Sequence, residues 1–331
     1  MPETTSGYTL FIGEMLIDFI PAPAQPDGVV LYQPHPGGAV ANAAVALARL
    51  GGAARFIGKL SSDSFGRLLL NTLQENGVDT RYIPITDLGN TTLVLVTLQT
   101  DGQREFTFYR YGTADTLLET TDLDSRIWEN VAFCHSGSVL LATEPARSAT
   151  LAALDQARQR GIPVCFDVNV RPALWSSEAE IRAMLAQVIE RVDLLKCSAE
   201  EAHYLSADLQ TPFDPANKQE LCQFGKQLLE RGPALIVITR GALATLLITH
   251  QHTVEIATQQ ASILDTTGAG DAFSGALLYK LLEHGWTTSS HLSTLRTQDL
   301  QELGQFANRA AGKSCTRYGG IYALPYLTEV E

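Results

Sequence analysis

The sequence lacks the marks of several large protein classes. The longest apolar runs in its 331 residues are no longer than a β-strand, well short of the ~18 residues that cross a bilayer. The residues before Gly7 carry neither the basic start nor the long apolar segment of a signal peptide. The five cysteines are an odd number, lie far apart and include no C-x-x-C pair, so neither a zinc site nor a disulfide framework is indicated. We therefore expect a cytoplasmic protein with small buried thiols.

Basic residues are scarce as well. Lys and Arg number 24 against 36 Asp and Glu, which gives a net charge of −12 and argues against general attraction to nucleic acid or to an anionic membrane. An anion such as ATP could still bind where backbone N–H groups and metal ions supply positive charge. The composition, 45% hydrophobic and 18% charged, is typical of a globular chain and argues against disorder or a coiled coil.

Short β-branched runs alternate with helical patterns along most of the chain. Strands are predicted at 9–12, 56–57, 131–135, 163–167, 193–196 and 235–239, and helices at 42–50, 64–76, 144–160, 178–191 and 218–231. This alternation predicts an α/β fold with a mostly parallel central sheet flanked by helices.

Two stretches, 17–33 and 91–109, are strand-like and contain no helix of useful length. In the second stretch, Asp101–Gly102 is a strong hairpin turn signal between two apolar runs. We predict a small β-sheet, formed by about 14–36 and 91–112, that lies as a lid over a cleft of a single domain spanning 1–331. A second packing layer is the alternative.

The richest chemical signal is DTTGAGDAFSGALL at 265–278. We predict a strand at 261–264 before it and a helix after it that ends at Gly285, so that Gly268, Ala269 and Gly270 form the turn into the helix. Such a turn suits phosphate, because the N–H groups of a first helical turn have no partner within the helix. Asp271 in that turn either complements the helix dipole or acts as a general base, and the pattern alone favours neither.

This segment resembles the C-terminal signature of the PfkB-type, ribokinase-like carbohydrate kinases. An N-terminal signature is also similar: GGAVANA at 37–43, followed by Gly51 and Gly58. Within the family, the segments at 13–21, 108–110, 114–115 and 167–171 are most similar to fructokinases. The resemblance runs from Gly13 to about Pro325 and implies a ribokinase-like fold. It also implies ATP-dependent phosphorylation of a sugar hydroxyl, with D-fructose to fructose 6-phosphate as the favoured reaction.

The resemblance implies roles for individual residues. Asp271 is the catalytic base, the turn of Gly268, Ala269 and Gly270 is the anion hole, and Arg171 contacts phosphate. The expected substrate positions are Asp18, Gly37, Gly38, Asn42, Tyr109, Arg110, Asp167 and Asn169. The expected nucleotide positions are Ser198, Thr239, Gly241, Gly268, Gly270 and Asn308. The alternatives are a helix N-cap for Asn42, strand packing for Tyr109, a salt bridge for Arg171, a plain turn at 239–241 and a solvated helix face for Asn308.

Two metal ions are implied in the same way. Glu201 would act on magnesium through water, with Ser198 standing where the family often has Asn. Potassium would be held beside the anion hole by oxygens, largely backbone carbonyls, of Asp265, Thr267, Ser314, Arg317 and Gly319. Ala323 stands where some relatives have a further Ser, which weakens the potassium assignment.

Several alternatives stay open. Within the class they are a ribokinase, an aminoimidazole riboside kinase and a 2-keto-3-deoxygluconate kinase. A catalytically silent sugar-binding regulator is another, although such a protein need not keep both Asp271 and the 268–270 turn. No G-x-G-x-x-G follows the first strand, which argues against a dinucleotide-binding oxidoreductase. A relaxed Walker A pattern at 307–314 falls in a helix predicted to end at Gly312, so it is not a P-loop. A homodimer formed through the lid is a further expectation.

Overall fold

A computed structural model describes residues 7–22, 29–98, 104–206, 214, 216–258 and 262–331. The strands are β1 Tyr8–Ile12, β2 Leu16–Pro21, β3 Tyr32–Gly37, β4 Ala54–Ile57, β5 Leu60–Ser61, β6 Ile85–Thr86, β7 Leu93–Leu98, β8 Arg104–Tyr109, β9 Val131–Gly137, β10 Val164–Asp167, β11 Leu194–Ser198, β12 Leu235–Thr239, β13 Ala244–Ile248 and β14 Thr253–Ala257. The helices are α1 Ala39–Arg49, α2 Ser64–Glu75, α3 Ala146–Gln159, α4 Glu178–Ile189, α5 Ala202–Leu205, α6 Lys218–Leu229, α7 Ala269–Glu283, α8 Ser289–Ser293, α9 Thr297–Ser314 and α10 Gly320–Ala323.

The large sheet has the strand order β14-β13-β12-β11-β10-β9-β1-β4. The pairings from β4 to β12 in this order are parallel, and β13 pairs antiparallel with both β12 and β14. Parallel strands need crossover connections, which the helices between them supply. The predicted α/β fold with a mostly parallel sheet is therefore confirmed.

Helices cover both faces of this sheet. In β1, Leu10 and Ile12 belong to one buried cluster and Phe11 to the other, because successive side chains of a strand point to opposite faces. Helices α1, α7 and α9 pack in the cluster of Phe11, and α3, α4 and α6 pack in the cluster of Leu10. This arrangement puts the N-termini of α1 and α7 near the carboxyl ends of the parallel strands.

A second, separate sheet has the order β3-β2-β7-β8. Its strands come from the two stretches that break the βα rhythm, so the prediction of a small additional sheet is confirmed. The register of β7 on β8, with Val94 opposite Phe108, is that of an antiparallel hairpin. The predicted turn at Asp101–Gly102 lies outside the described residues.

Two local predictions are wrong. The described part of 261–264 forms no strand, because the N–H groups of Leu264 and Asp265 both donate to the Cys315 carbonyl and join no ladder. Helix α9 does not end at Gly312 but continues to Ser314, since the Cys315 N–H still donates to the Ala311 carbonyl. The 307–314 segment is helical throughout, which agrees with rejecting a P-loop there.

Helix α1 begins at Ala39, three residues before the predicted start. Gly38 precedes it with φ 110°, and a Cβ there would lie 2.5 Å from the Glu14 carbonyl oxygen, so only glycine fits. The Ala39 N–H donates to Glu14 Oε1 at 2.7 Å, which caps the helix from the end of β1. Among the described residues, no helix has both the length and the apolar character to cross a membrane.

Candidate active site

A cavity of about 770 Å³, called here the main cavity, lies outside the carboxyl ends of the parallel strands. Ligands of open α/β sheets gather at this edge. Its lining comes from β10, β11 and β12, from Glu14 in the loop after β1, from the N-termini of α1 and α7, and from the small sheet. The predicted residues on its wall are Asp18, Gly38, Asn42, Asp167, Asn169, Arg171, Ser198, Glu201, Thr239, Thr267, Gly268, Gly270 and Asp271.

Asp271 stands in the first turn of α7, directly after the turn formed by residues 268–270, called here the glycine turn. Gly268 has φ 80°, a left-handed conformation that glycine adopts without strain. Burial raises the pKa of Asp271 to about 6, while the hydrogen bond from Asn42 partly offsets the rise. The carboxylate is thus a proton acceptor poised near neutral pH.

Asn42 is the partner of Asp271. Its Nδ2 donates to Asp271 Oδ2 at 2.7 Å, across 229 residues of sequence. The N-cap alternative for Asn42 is wrong, because Gly38 occupies that position and Asn42 lies one turn inside α1. Within the described part of the chain, Asn42 Oδ1 is buried and has no hydrogen-bond donor. A buried acceptor without a donor is costly, so this oxygen suits a ligand hydroxyl.

A buried charge cluster adjoins the glycine turn. Lys196 Nζ donates to Asp167 Oδ2 at 2.5 Å, and Ser274 Oγ donates to the same oxygen at 3.1 Å. Asp167 and Lys196 are register partners on β10 and β11, so their side chains share one face. Arg171 Nη1 donates to Asn169 Oδ1 at 2.6 Å and faces the same cavity.

Glu201 completes this wall of the main cavity. Its Oε1 accepts from the Val170 N–H at 2.7 Å and its Oε2 from the Ser198 N–H at 2.9 Å. Burial, reinforced by the negative charge of Asp167, raises the pKa of Glu201. Ser198 has a structural part as well, since its Oγ accepts from the Glu201 N–H at 3.2 Å.

The opposite wall comes from strands β2, β7 and β8 of the small sheet. Asp18 lines it, and a Cβ on Gly37 would lie 2.3 Å from Asp18 Oδ2, so a side chain at 37 would displace this carboxylate. Its apolar members are Leu16, Val94, Phe106 and Phe108. This wall is therefore part carboxylate and part aromatic.

Tyr109 and Arg110 do not line the main cavity, contrary to their predicted place. In β8 it is Phe106 and Phe108 that face it, and Tyr109 is out of phase by one residue. Tyr109 and Arg110 border a separate cavity of about 670 Å³. The Arg110 side chain is buried and its Nε donates to Asp115 Oδ2 at 2.7 Å.

A second cavity of about 540 Å³ lies on the other side of the glycine turn. It contains the predicted nucleotide positions Thr239, Gly241, Gly270 and Asn308 together with Ala269 of the predicted anion hole, and it shares Thr239, Thr266 and Gly270 with the main cavity. Asn308 is buried and not on a solvated face. Its Oδ1 accepts from Thr245 Oγ1 at 2.9 Å and its Nδ2 donates to the Ile256 and Ala257 carbonyls. The two cavities meet at the N-terminus of α7.

The five predicted potassium positions lie on two segments that Asp265 joins. Its Oδ1 accepts from the Thr267 N–H at 2.9 Å and its Oδ2 from the Gly319 N–H at 3.0 Å. The Arg317 side chain pairs with Glu329, so its guanidinium is engaged elsewhere. The Ser314 carbonyl accepts from the Arg317 N–H at 3.3 Å.

Sequence reasoning missed two charged residues of the site, Glu14 and Lys196. Glu14 lines the main cavity, and burial raises its pKa to about 7. Lys196 lines the same cavity near the glycine turn. Each interrupts or directly follows an otherwise apolar strand, and a lone charge in such a place signals a buried partner or a function.

Comparisons with known proteins agree with this geometry. The family model described as pfkB family carbohydrate kinase matches residues 7–327. Fructokinase-1 of Oryza sativa subsp. japonica is 37% identical over 325 residues, which cover 96% of this chain and 94% of the rice protein. Fructokinase of Xylella fastidiosa with bound ATP has a TM-score of 0.88 and 31% identity, with 98% of this chain and 97% of that chain covered.

Two structures of fructokinase from Vibrio cholerae O395 are also similar. One, bound to fructose, ADP and calcium ion, has a TM-score of 0.81 and 31% identity and covers 98% of each chain. The other, a double mutant bound to fructose, ADP and potassium ion, has a TM-score of 0.82 and 30% identity, with 99% and 98% covered. The match over nearly all of the chain and the two cavities that meet at Gly270, beside Asp271, lead to one conclusion. The chain belongs to the pfkB family of carbohydrate kinases.

Proposed function

We propose that the chain is an ATP-dependent fructokinase that converts D-fructose to fructose 6-phosphate. The observation that carries the proposal is the position of Asp271 on the wall of the main cavity, directly after Gly270, which lines both the main cavity and the second cavity. A sugar in the main cavity and a nucleotide in the second would bring a hydroxyl and a γ-phosphate together at the glycine turn. The fructokinase relatives, and the fructose and ADP bound in the Vibrio cholerae enzyme, support this substrate pair.

The reaction follows from the groups around the glycine turn. The C6 hydroxyl oxygen of fructose forms a bond to the γ-phosphorus, and the bond from that phosphorus to the β,γ-bridging oxygen breaks, which releases ADP. The Asp271 carboxylate takes the hydroxyl proton. The backbone at Gly268, Gly270 and Asp271 lines the main cavity, where its N–H groups would donate to the charge that develops on the phosphoryl group, and Arg171 would add a positive charge.

The sugar side of the site favours a neutral ketohexose. Asp18 and the Asn42 Oδ1 can accept from sugar hydroxyls, and Phe108 offers an apolar face to the ring. A sugar acid would need a cation on the lid, but Arg110 is engaged by Asp115 and lies outside the main cavity. A riboside would need an aromatic partner for its base, and Tyr109 lies on the wrong side of β8 to provide it.

The residues fit a magnesium ion beside the phosphates. Each Glu201 oxygen accepts one backbone N–H, so each keeps a lone pair for a further partner at the cavity wall. Oxygen ligands and retained waters are what magnesium prefers, and Glu201 would hold the ion through such a water. When bound, the ion supplies positive charge to the nucleotide phosphates.

The residues also fit a potassium ion. Asp265 fixes the backbone of Thr267 and Gly319 side by side, next to the glycine turn, and Gly319 has φ 82°. Backbone carbonyls that curve around one point replace the water shell of potassium. Such an ion would fix the backbone of the anion hole without contact to the substrate.

We infer that the small sheet acts as the lid of a single domain. It supplies the aromatic wall of the main cavity, and its movement would exclude water from the phosphoryl group and limit ATP hydrolysis. A homodimer through this sheet fits the exposure of Val30 and Tyr109, which are 71% and 60% accessible. Sedimentation of the wild type against Val30→Asp tests the dimer, because a charge in an apolar interface would shift the protein to the monomer.

The test of the function is a coupled ATP assay with four acceptors under one set of conditions. These are fructose, ribose, 2-keto-3-deoxygluconate and an aminoimidazole riboside. We expect the highest kcat/KM for fructose, and a phosphorus NMR signal of the 6-phosphate ester in the product. A higher kcat/KM for another acceptor would refute the fructose assignment, and tight sugar binding without any transfer would favour a silent regulator.

A further inference from the structure

Lys196 is a buried cation that the residue roles above leave without a task. It lies near the carboxyl end of β11, in an otherwise apolar strand, with only 5% of its surface exposed. A buried ammonium costs several kcal/mol to desolvate unless it is paired, and Asp167 provides that pairing at 2.5 Å. The pair itself explains how Lys196 is tolerated but not why a lysine is placed at the wall of the main cavity.

The position of the ammonium relative to α7 answers this question. A Cβ built on Gly270 would lie 3.3 Å from Lys196 Nζ and, among the described residues outside its own helix, would meet no other atom within 4 Å. The ammonium therefore lies beside the backbone of the glycine turn, where a side chain at 270 would crowd it. Gly270 is also shared by the two cavities, so this position lies where they join.

The hydrogen-bond geometry leaves Lys196 with capacity for a further acceptor. An ammonium has three donors, and one of them is given to Asp167 Oδ2. Ser274 Oγ lies 3.1 Å from the same oxygen and 3.0 Å from the Gly270 carbonyl, so its one O–H donates to either acceptor and links the carboxylate to the turn. The carboxylates around the ammonium, Asp167, Glu201 and Asp271, favour its protonated, positively charged form. An incoming phosphoryl group would thus meet a cation that Asp167 already holds in place.

We propose that Lys196 is a catalytic residue of phosphoryl transfer, whose ammonium donates to the transferring phosphoryl group at the glycine turn. Asp167 and Ser274 are then positioning residues that hold the ammonium and the turn in one arrangement. The inference rests on the proposed function and adds a residue to it. The positive charge also favours the ionised form of Asp271, since Lys196 lowers the pKa of that carboxyl.

Three substitutions separate the charge of Lys196 from its structural bond. Lys196→Gln keeps a donor for Asp167 and loses the charge, Lys196→Met loses both, and Lys196→Arg keeps both. We expect kcat to fall by about 10²–10³ for Gln and Met, the scale for loss of one donor to a transition-state charge, and by less for Arg. A structural role predicts another order, with Gln and Arg alike and Met alone impaired. Lys226→Gln, at an exposed position on α6, is the control and should match the wild type.

Binding measurements decide whether the ammonium contacts the phosphoryl group. Magnesium ADP with aluminium fluoride and fructose mimics the planar phosphoryl group, whereas magnesium ADP alone does not. For Lys196→Gln we expect about a 10²–10³-fold weaker complex with aluminium fluoride, in step with kcat, and little change for ADP and for fructose alone. Equal weakening of all three, or none, would overturn the proposal.

The wild type measured alongside separates two kinds of failure. A wild type that transfers phosphate to fructose, with a Lys196→Gln variant of the same rate, refutes the role of Lys196 alone. A wild type that transfers no phosphate refutes the proposed function. If Lys196→Met does not fold, the Gln and Arg variants still carry the comparison, because both retain a donor for Asp167.

Discussion

The pH dependence of the reaction should follow the ionisation of Asp271. Burial holds the pKa of this carboxyl at about 6, and only the ionised form can accept the hydroxyl proton. We therefore expect kcat/KM for fructose to be level above this pKa and to fall as pH drops below it, by about tenfold for each further pH unit.

Asn42→Ala should move the acidic limb of the profile, that is, the pH range in which kcat/KM falls. The lost bond, 2.7 Å from Nδ2 to Oδ2, favours the ionised carboxylate, and a hydrogen bond to a charged group is worth about 1.5–3 kcal/mol. One pKa unit corresponds to about 1.4 kcal/mol, so the limb should shift upward by about one to two pH units. The sign is fixed, because removal of a donor to the charged form makes proton release harder.

The assay is kcat/KM for fructose across the pH range at saturating ATP. Asn42 also borders the sugar, so the absolute rate will fall as well, and the position of the limb is the quantity that counts. Asn308→Ala is the matched control, since Asn308 is equally buried but bonds only to Thr245 and backbone carbonyls. Its limb should stay in place. An unmoved limb in Asn42→Ala would refute the assignment of the titration to Asp271.

Three further predictions follow from other parts of the structure. Burial raises the pKa of Glu14 from 4.5 to about 7, so the folded protein loses stability as pH rises through that window. At about pH 8, the free energy of unfolding in urea should therefore be higher for Glu14→Gln than for the wild type, by up to about 3 kcal/mol. The gain should vanish near pH 4, and a gain independent of pH would contradict the burial of the charge. Gly275→Ala places a Cβ 2.6 Å from that of Ala46, so it should lower the free energy of unfolding by about 1–3 kcal/mol. It should also lower kcat, because it pushes apart α1 and α7, which carry Asn42 and Asp271. Gly312→Ala meets nothing within 4 Å and should stabilise by about 0.5–1 kcal/mol, and thermal unfolding of both variants checks the contrast. Potassium should raise the initial rate over sodium at equal ionic strength, and equal rates would argue against the cation site at Asp265.

Much of the fold could be predicted because its signals are local. Parallel strands buried on both faces appear as short apolar runs, and Gly268 and Gly285, both with positive φ, flank α7 at its two ends. The placement of Asp271 in the first turn of α7 follows from the same local pattern. The small sheet was predictable from the absence of helical periodicity in two stretches.

The site residues that escaped prediction depend on contacts between distant segments. The phase of β8 is set by its pairing with β7, and one residue of difference exchanges Phe108 for Tyr109 at the cavity wall. The partnership of Lys196 with Asp167 exists only because β10 and β11 are neighbours in register. The loop before Asp265 looks like a strand, but its N–H groups are taken by the Cys315 carbonyl, 50 residues away.

The most direct test of the central claim is the rate of phosphoryl transfer from ATP to fructose by Asp271→Asn. The amide keeps the shape and the place beside Asn42 but cannot take a proton. We predict a fall in kcat of about 10²–10⁴ with fructose binding, measured by calorimetry, largely retained. Asp299→Asn, at the N-terminus of α9 and far from both cavities, should keep the wild-type rate. An Asp271→Asn variant that retains most of the wild-type kcat would contradict the account.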